Sequence, residues 1–152
     1  MVDRARKSKK SSVASSRSQR DADRLAALTF FIDRSLGKHV VASELKKAGA
    51  IVEVHDDHFA PNTPDVEWLR SVGDKDWVVL SKDEAIRRNR NEREAIRAAG
   101  VKAFFLTQQG LTGMEMAAVF ARALPGMVMR AARQKGSFVF TISRTGVFGR
   151  VD

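Results

Sequence analysis

Cysteine is absent from the 152 residues. Its absence removes disulfide frameworks, thiolate metal sites and cysteine nucleophiles together, and it fits a reducing compartment. No apolar run approaches the roughly 20 residues that a bilayer-spanning helix needs. The first stretch is basic and Ser-rich with no apolar segment behind it, unlike a secretory signal. Neither GxGxxG nor GxxxxGK[ST] occurs, which argues against a dinucleotide enzyme and a P-loop hydrolase. From Met116 to Val151 there is no acidic residue at all. These absences leave a soluble, basic, cytoplasmic α/β protein with no membrane association as the expectation.

What is present is positive charge and enough apolar residues for one core. Lys plus Arg is 27 against 18 Asp plus Glu, a formal net charge of +9, and hydrophobic residues make up 43%. Residues 1–28 account for +5 of that charge. The acid-free stretch near the C-terminus adds Arg122, Arg130, Arg133, Lys135, Arg144 and Arg150. Such asymmetry favours a polyanionic partner, because the long-range potential raises the encounter rate with phosphate backbones.

Along the chain, residues 1–22 hold almost no core-forming side chains and read as disordered. The chain divides into a basic tail over 1–24, one domain over 25–143 and a C-terminal tail over 144–152. Within the domain, strands are expected at 28–33, 50–55, 76–81, 101–106 and 138–142. Helices are expected over 39–48, from Pro64 with Thr63 as its cap to Gly73, and over 84–99. A last helix starts at Thr112, is ended or kinked by Pro125, and resumes to about Arg133. Strands alternating with helices imply right-handed crossovers and a parallel sheet covered on both faces.

In such a sheet, sites form beyond the carboxyl ends of the strands. Asp33 and Asp83 follow the first and third strands, and Asp65 opens the helix after the second. Three carboxylates from distant segments are therefore expected to converge. Converging carboxylates repel one another unless a cation sits among them, and hard oxygen ligands without cysteine suit Mg²⁺ or Mn²⁺. Asp57 and Glu44 are further acids that this site would draw on. His55, Asp56, Asp57 and His58 read as its rim. Ser81 is placed to hydrogen-bond a carboxylate or metal water. Lys82, Arg87, Arg88 and Arg90 flank Asp83 and are placed to steer phosphates.

Three motifs carry a resemblance: Phe30-Phe-Ile-Asp33, Thr63-Pro-Asp65-Val-Glu-Trp68 and Trp77-Val-Val-Leu-Ser-Lys-Asp83. Together with Gly110–Glu115 and Leu124-Pro125, the chain over about 28–130 resembles PIN-like domains, and within them the small VapC-type toxins of bacterial toxin–antitoxin pairs. The resemblance implies a three-layer αβα sandwich with a central, mainly parallel sheet of about five strands. It implies a Mg²⁺- or Mn²⁺-dependent endoribonuclease with Asp33, Asp65 and Asp83 as catalytic metal ligands, RNA as substrate and an antitoxin as partner. A homodimer is a further candidate assembly, which the sequence does not fix. The chain departs from the wider pattern at three places. Only Glu44 matches the usual acid of an early helix, Ala85-Ile86 replaces an Asp-Phe pair, and Thr107-Gln-Gln109 brings no acid. Two alternatives stand beside this reading: a PIN-like module that binds RNA or a partner without cleaving, and a receiver-like phosphoacceptor domain. A receiver domain normally has an acidic pair after its first strand and a Lys after its fifth. This chain offers Asp33 alone and Arg144.

Overall fold

The computed structural model describes residues 18–151. The element order alternates as the sequence pattern requires. A helix (α1) runs from the first described residue to 26. It is followed by β1 (Thr29–Ile32), α2 (Val40–Lys47), β2 (Ile51–Val54), α3 (Asp65–Asp74) and β3 (Val78–Ser81). Then come α4 (Glu84–Arg88), α5 (Arg90–Ala99), β4 (Lys102–Leu106), α6 (Gly113–Arg133), β5 (Phe138–Ile142) and β6 (Phe148–Val151).

The strands form one six-stranded sheet in the order β2-β1-β3-β4-β5-β6. All neighbours are parallel except β5 and β6, which pair antiparallel. The central strands read as continuous apolar runs because both of their faces are buried. Alternation then divides each strand between two cores. Phe30, Ile32, Val78, Leu80, Phe104 and Leu106 meet α2 and α6 on one side. Phe31, Val79, Ala103 and Phe105 meet Trp68, Leu69 and Val72 of α3 and Ile96 of α5 on the other. The result is the expected αβα sandwich. Gly73 lets α3 and α5 approach: a β-carbon there would lie 2.5 Å from the Ala99 carbonyl oxygen.

The structure corrects the expected elements at several points. The C-terminal segment 144–152, expected as a tail, contains β6 and gives the sheet a sixth strand. The expected helix 84–99 is two helices, because Asn89 is extended (φ −71°, ψ 129°) and caps α5 by accepting from the Asn91 amide. Thr63 does not cap α3; its hydroxyl donates to the Ala60 carbonyl, and Pro64 occupies the cap position. Pro125 neither ends nor divides α6, which is continuous over 21 residues. Pro125 is exposed, so water can take the place of the amide it lacks. Residues 18–24, expected within a disordered tail, are helical. The rest of that tail, residues 1–17, lies outside the described residues.

Candidate active site

The chain runs outward from β1 to β2, then crosses back to β3 and continues through β4 to β5. The crossover after β1 leaves toward the face of α2, and the one after β3 toward the face of α5. A crevice opens between strand ends where connections diverge in this way. Asp33 and Asp83 sit at this point, one residue past β1 and two past β3.

Asp33 is buried, with 5% of its surface exposed. Its amide donates to the Leu80 carbonyl at 3.0 Å, which fixes the exit of β1 against β3. Its Oδ2 accepts from two hydroxyls, Ser35 and Ser81, each at 2.8 Å. These hydroxyls are oriented in turn by the loop after β3. The Lys82 amide donates to Ser35 Oγ at 3.1 Å, and the Asp83 amide donates to Ser81 Oγ at 3.0 Å. Burial pushes the Asp33 carboxyl above its ordinary value; the Ser35 and Ser81 hydrogen bonds oppose that rise and the nearby Asp83 charge adds to it. Asp83 is half-buried and caps α4, with Oδ1 accepting from the Ala85 amide at 2.8 Å.

Asp65 opens α3 as expected, but its carboxylate turns to its own helix. Oδ1 accepts from the Trp68 indole Nε1–H at 2.8 Å. The expectation is three converging carboxylates. The structure couples Asp33 with Asp83, and among the described residues no three His, Asp or Glu side chains gather closely enough to hold a metal ion. The donors that do converge are hard oxygens: two carboxylates and two hydroxyls. They match a small divalent cation in kind, and the raised Asp33 carboxyl is the group such a cation would relieve.

The other predicted residues take separate places, some beside this pair and some away from it. Ser81 is buried and bonded to Asp33. The Lys82 carbonyl accepts from the Gln109 side chain at 3.0 Å, which ties the loop after β4 to the loop after β3. Arg87 lies 3.7 Å from Glu84 on α4, while Arg88 and Arg90 are exposed on either side of the Asn89 break. Glu44 pairs with Lys47 along α2 at 3.1 Å, and Asp57 is exposed at the rim of a groove beside α2. Asp56 is held by Arg34 at 3.0 Å and Lys38 at 3.2 Å. The Lys38 hydrogen bond leads the causes that lower its carboxyl below the ordinary value. His55 is buried among Phe31, Phe59 and Trp68, and His58 bonds Glu53 at 2.8 Å. The two histidines therefore serve packing and a surface pair.

Sequence reasoning did not single out Ser35 or Gln109. Ser35 left one signal: a hydroxyl two residues after a buried acid, where it can bond back to the carboxylate.

The model of the family described as "PIN like domain" matches residues 28–108, which contain Asp33, Asp65 and Asp83. The chain belongs to the PIN-like domain family. A protein of Mycobacterium tuberculosis (strain ATCC 25618 / H37Rv) named "Putative ribonuclease VapC45" is 31% identical to this PIN-like chain over 129 residues. The match covers 82% of this chain and 93% of the relative, and it aligns this PIN-like protein with the VapC-type members. No solved structure matches at a significant level. Among the described residues of this PIN-like protein, no helix is long and apolar enough to cross a membrane.

Proposed function

We propose that the protein is a divalent-metal-dependent endoribonuclease and acts as the toxin of a toxin–antitoxin pair. The observation that carries the reading is the buried Asp33 carboxyl, raised by burial and by Asp83, at the switch point of a PIN-like sheet. The name of the relative supports RNA as the substrate, and the resemblance to VapC-type toxins supports an antitoxin as partner.

In this reading Asp33 and Asp83 would hold Mg²⁺ or Mn²⁺, with Asp65 as a further ligand once it leaves Trp68. When bound, the ion would supply an acidified water and offset charge on the phosphodiester. The chain's own residues do the positioning. Ser35 and Ser81 hold one oxygen of Asp33 and so set the orientation of the other. Asp83 caps α4, so its carboxylate is fixed by the Ala85 amide. Lys82, Arg87, Arg88 and Arg90 provide cations beside the pair for the RNA backbone.

A second reading, an RNA- or partner-binding module that does not cleave, is favoured by one feature: the Asp65 carboxylate is engaged by Trp68. Incubation of purified protein with labelled single-stranded RNA, with Mn²⁺ or Mg²⁺ and with chelator, separates the two. The ribonuclease reading expects cleavage that needs the metal. Intact RNA under all three conditions would advance the binding module instead.

A further inference from the structure

The acid-free stretch from 116 to 151 carries six cations, and the fold gathers them onto one surface. Positions 122, 126, 130 and 133 lie on one face of α6. The β5–β6 hairpin packs against that face at three levels. Arg122 passes Gly146, where a β-carbon would sit 3.5 Å from Arg122 Cδ. Phe148 fits against Gly126, where a β-carbon would lie 2.7 Å from the ring. The Arg130 guanidinium stacks 3.8 Å from the Phe148 ring centre and donates to the Gly126 carbonyl at 3.1 Å.

The surface extends beyond these contacts at both ends. Arg144 lies in the hairpin turn and Arg150 approaches the Phe140 ring at 5.9 Å. Arg133 closes the far end of α6 and Lys135 follows it. All of these except half-buried Arg130 are exposed. From 122 to 133 the helix rises about 16 Å. At one end of this track, Arg144 follows β5 on the same sheet edge as Asp33 and Asp83. Arg144 faces Glu115 there, whose carboxylate is engaged in capping α6 through Thr112.

We propose that the α6–hairpin surface binds the phosphate backbone of the RNA strand that reaches the Asp33–Asp83 edge. This rests on the ribonuclease reading above. Cations of one sign, spaced over three turns of helix, suit a polyanion that extends beyond the reacting phosphate. These residues lie outside the segment 28–108 matched by the family model.

The test measures binding apart from cleavage. In an Asp83→Asn background, anisotropy of a labelled single-stranded RNA of about 12 nucleotides is followed between about 50 and 200 mM salt. A triple variant, Arg122→Gln, Arg133→Gln and Arg144→Gln, is compared with a control triple on the opposite helical layer, Arg70→Gln, Lys75→Gln and Arg97→Gln. Each lost phosphate contact flattens the dependence of log affinity on log salt by about 0.7, so the track triple should be flatter by about 2 and the control unchanged. If the triple does not fold, Arg133→Gln and Arg144→Gln are measured singly, each expected to flatten the slope by about 0.7. Equal slopes in track and control variants overturn the proposal. So does unchanged RNA binding with lost binding of poly-glutamate, which would assign the surface to an acidic protein. A parent that binds RNA through this track but cleaves none removes the ribonuclease reading and leaves the surface assignment standing.

Discussion

Ser81 donates its hydroxyl proton to Asp33 across the gap between β3 and β1, at 2.8 Å, from a position with no exposed surface. The same oxygen accepts the Asp83 amide. One hydroxyl thus joins both acids of the pair to the sheet. Ser81→Ala removes a bond to a buried carboxyl and strands the Asp83 amide. A hydrogen bond to a charged group contributes about 1.5–3 kcal/mol. Urea unfolding at neutral pH should register a loss of that size, and an unchanged midpoint would show that Ser35 alone suffices.

The raised Asp33 carboxyl sets a direction for pH. A group whose folded pKa lies above its unfolded value contributes stability at pH below the unfolded value, and that contribution is lost as pH rises through the folded value. Asp33→Asn removes this dependence. In chelator, the variant should melt above the parent at neutral pH, with the gap closing toward acid. Melting curves across that range decide it; a gap that widens toward acid contradicts the burial argument.

Asp83→Asn keeps the side-chain oxygen that caps α4, since Asn caps as well as Asp, and removes the charge that raises Asp33. It should abolish metal-dependent RNA cleavage while leaving the chelated protein equally or more stable. Glu67→Gln, an exposed neighbour on α3, serves as control and should retain cleavage. Parent-rate cleavage by Asp83→Asn would remove Asp83 from the mechanism.

Asp65 needs a variant that separates its two roles. Asp65→Asn retains an acceptor for the Trp68 indole but not the charge, so stability should change by less than about 1 kcal/mol. Asp65→Ala leaves the indole N–H without its partner and should lose about 1–3 kcal/mol. Loss of cleavage in Asp65→Asn, at near-parent stability, is the outcome expected of a metal ligand; retained cleavage makes Asp65 a helix-start bond only.

Gly126→Ala would force its β-carbon to 2.7 Å from Phe148. Ala favours a helix interior over Gly by about 1 kcal/mol, yet overpacking opposes this by about 1–3 kcal/mol. The expected net result is destabilisation, read by thermal melting. A stabilised variant would show that the hairpin is not held against α6 in solution.

The strands β1 to β5 were legible because both faces of a parallel sheet are buried, which writes short apolar runs bounded by caps and turns. β6 was not, because Phe148-Gly-Arg-Val151 is short, contains glycine and is half-exposed along its length. Its strand character comes from pairing with β5 and from Phe148 on Gly126, both tertiary. The break at Asn89 did leave a local trace. Asn89 followed three residues later by Glu92 is the pattern of a helix start, hidden inside a run that reads as one charged helix. At the site, Asp33 and Asp83 were legible from their places after strands. The turn of Asp65 toward Trp68 depends on a rotamer choice between two partners, and residue spacing carries no information about that choice. The roles of Ser35 and Gln109 likewise depend on loops from different strands meeting.

The bond between Ser81 and Asp33 spans 48 positions of sequence. Closing a loop of that length must precede any local reward from the contact, and such non-local pairing slows folding. The order in time follows. No stretch of chain that ends before β3 holds the Asp33–Asp83 pair, so a nascent or truncated N-terminal piece has no site. The pair forms when β1 and β3 dock and is lost when they part, whereas fraying of β6 at the far edge leaves it standing.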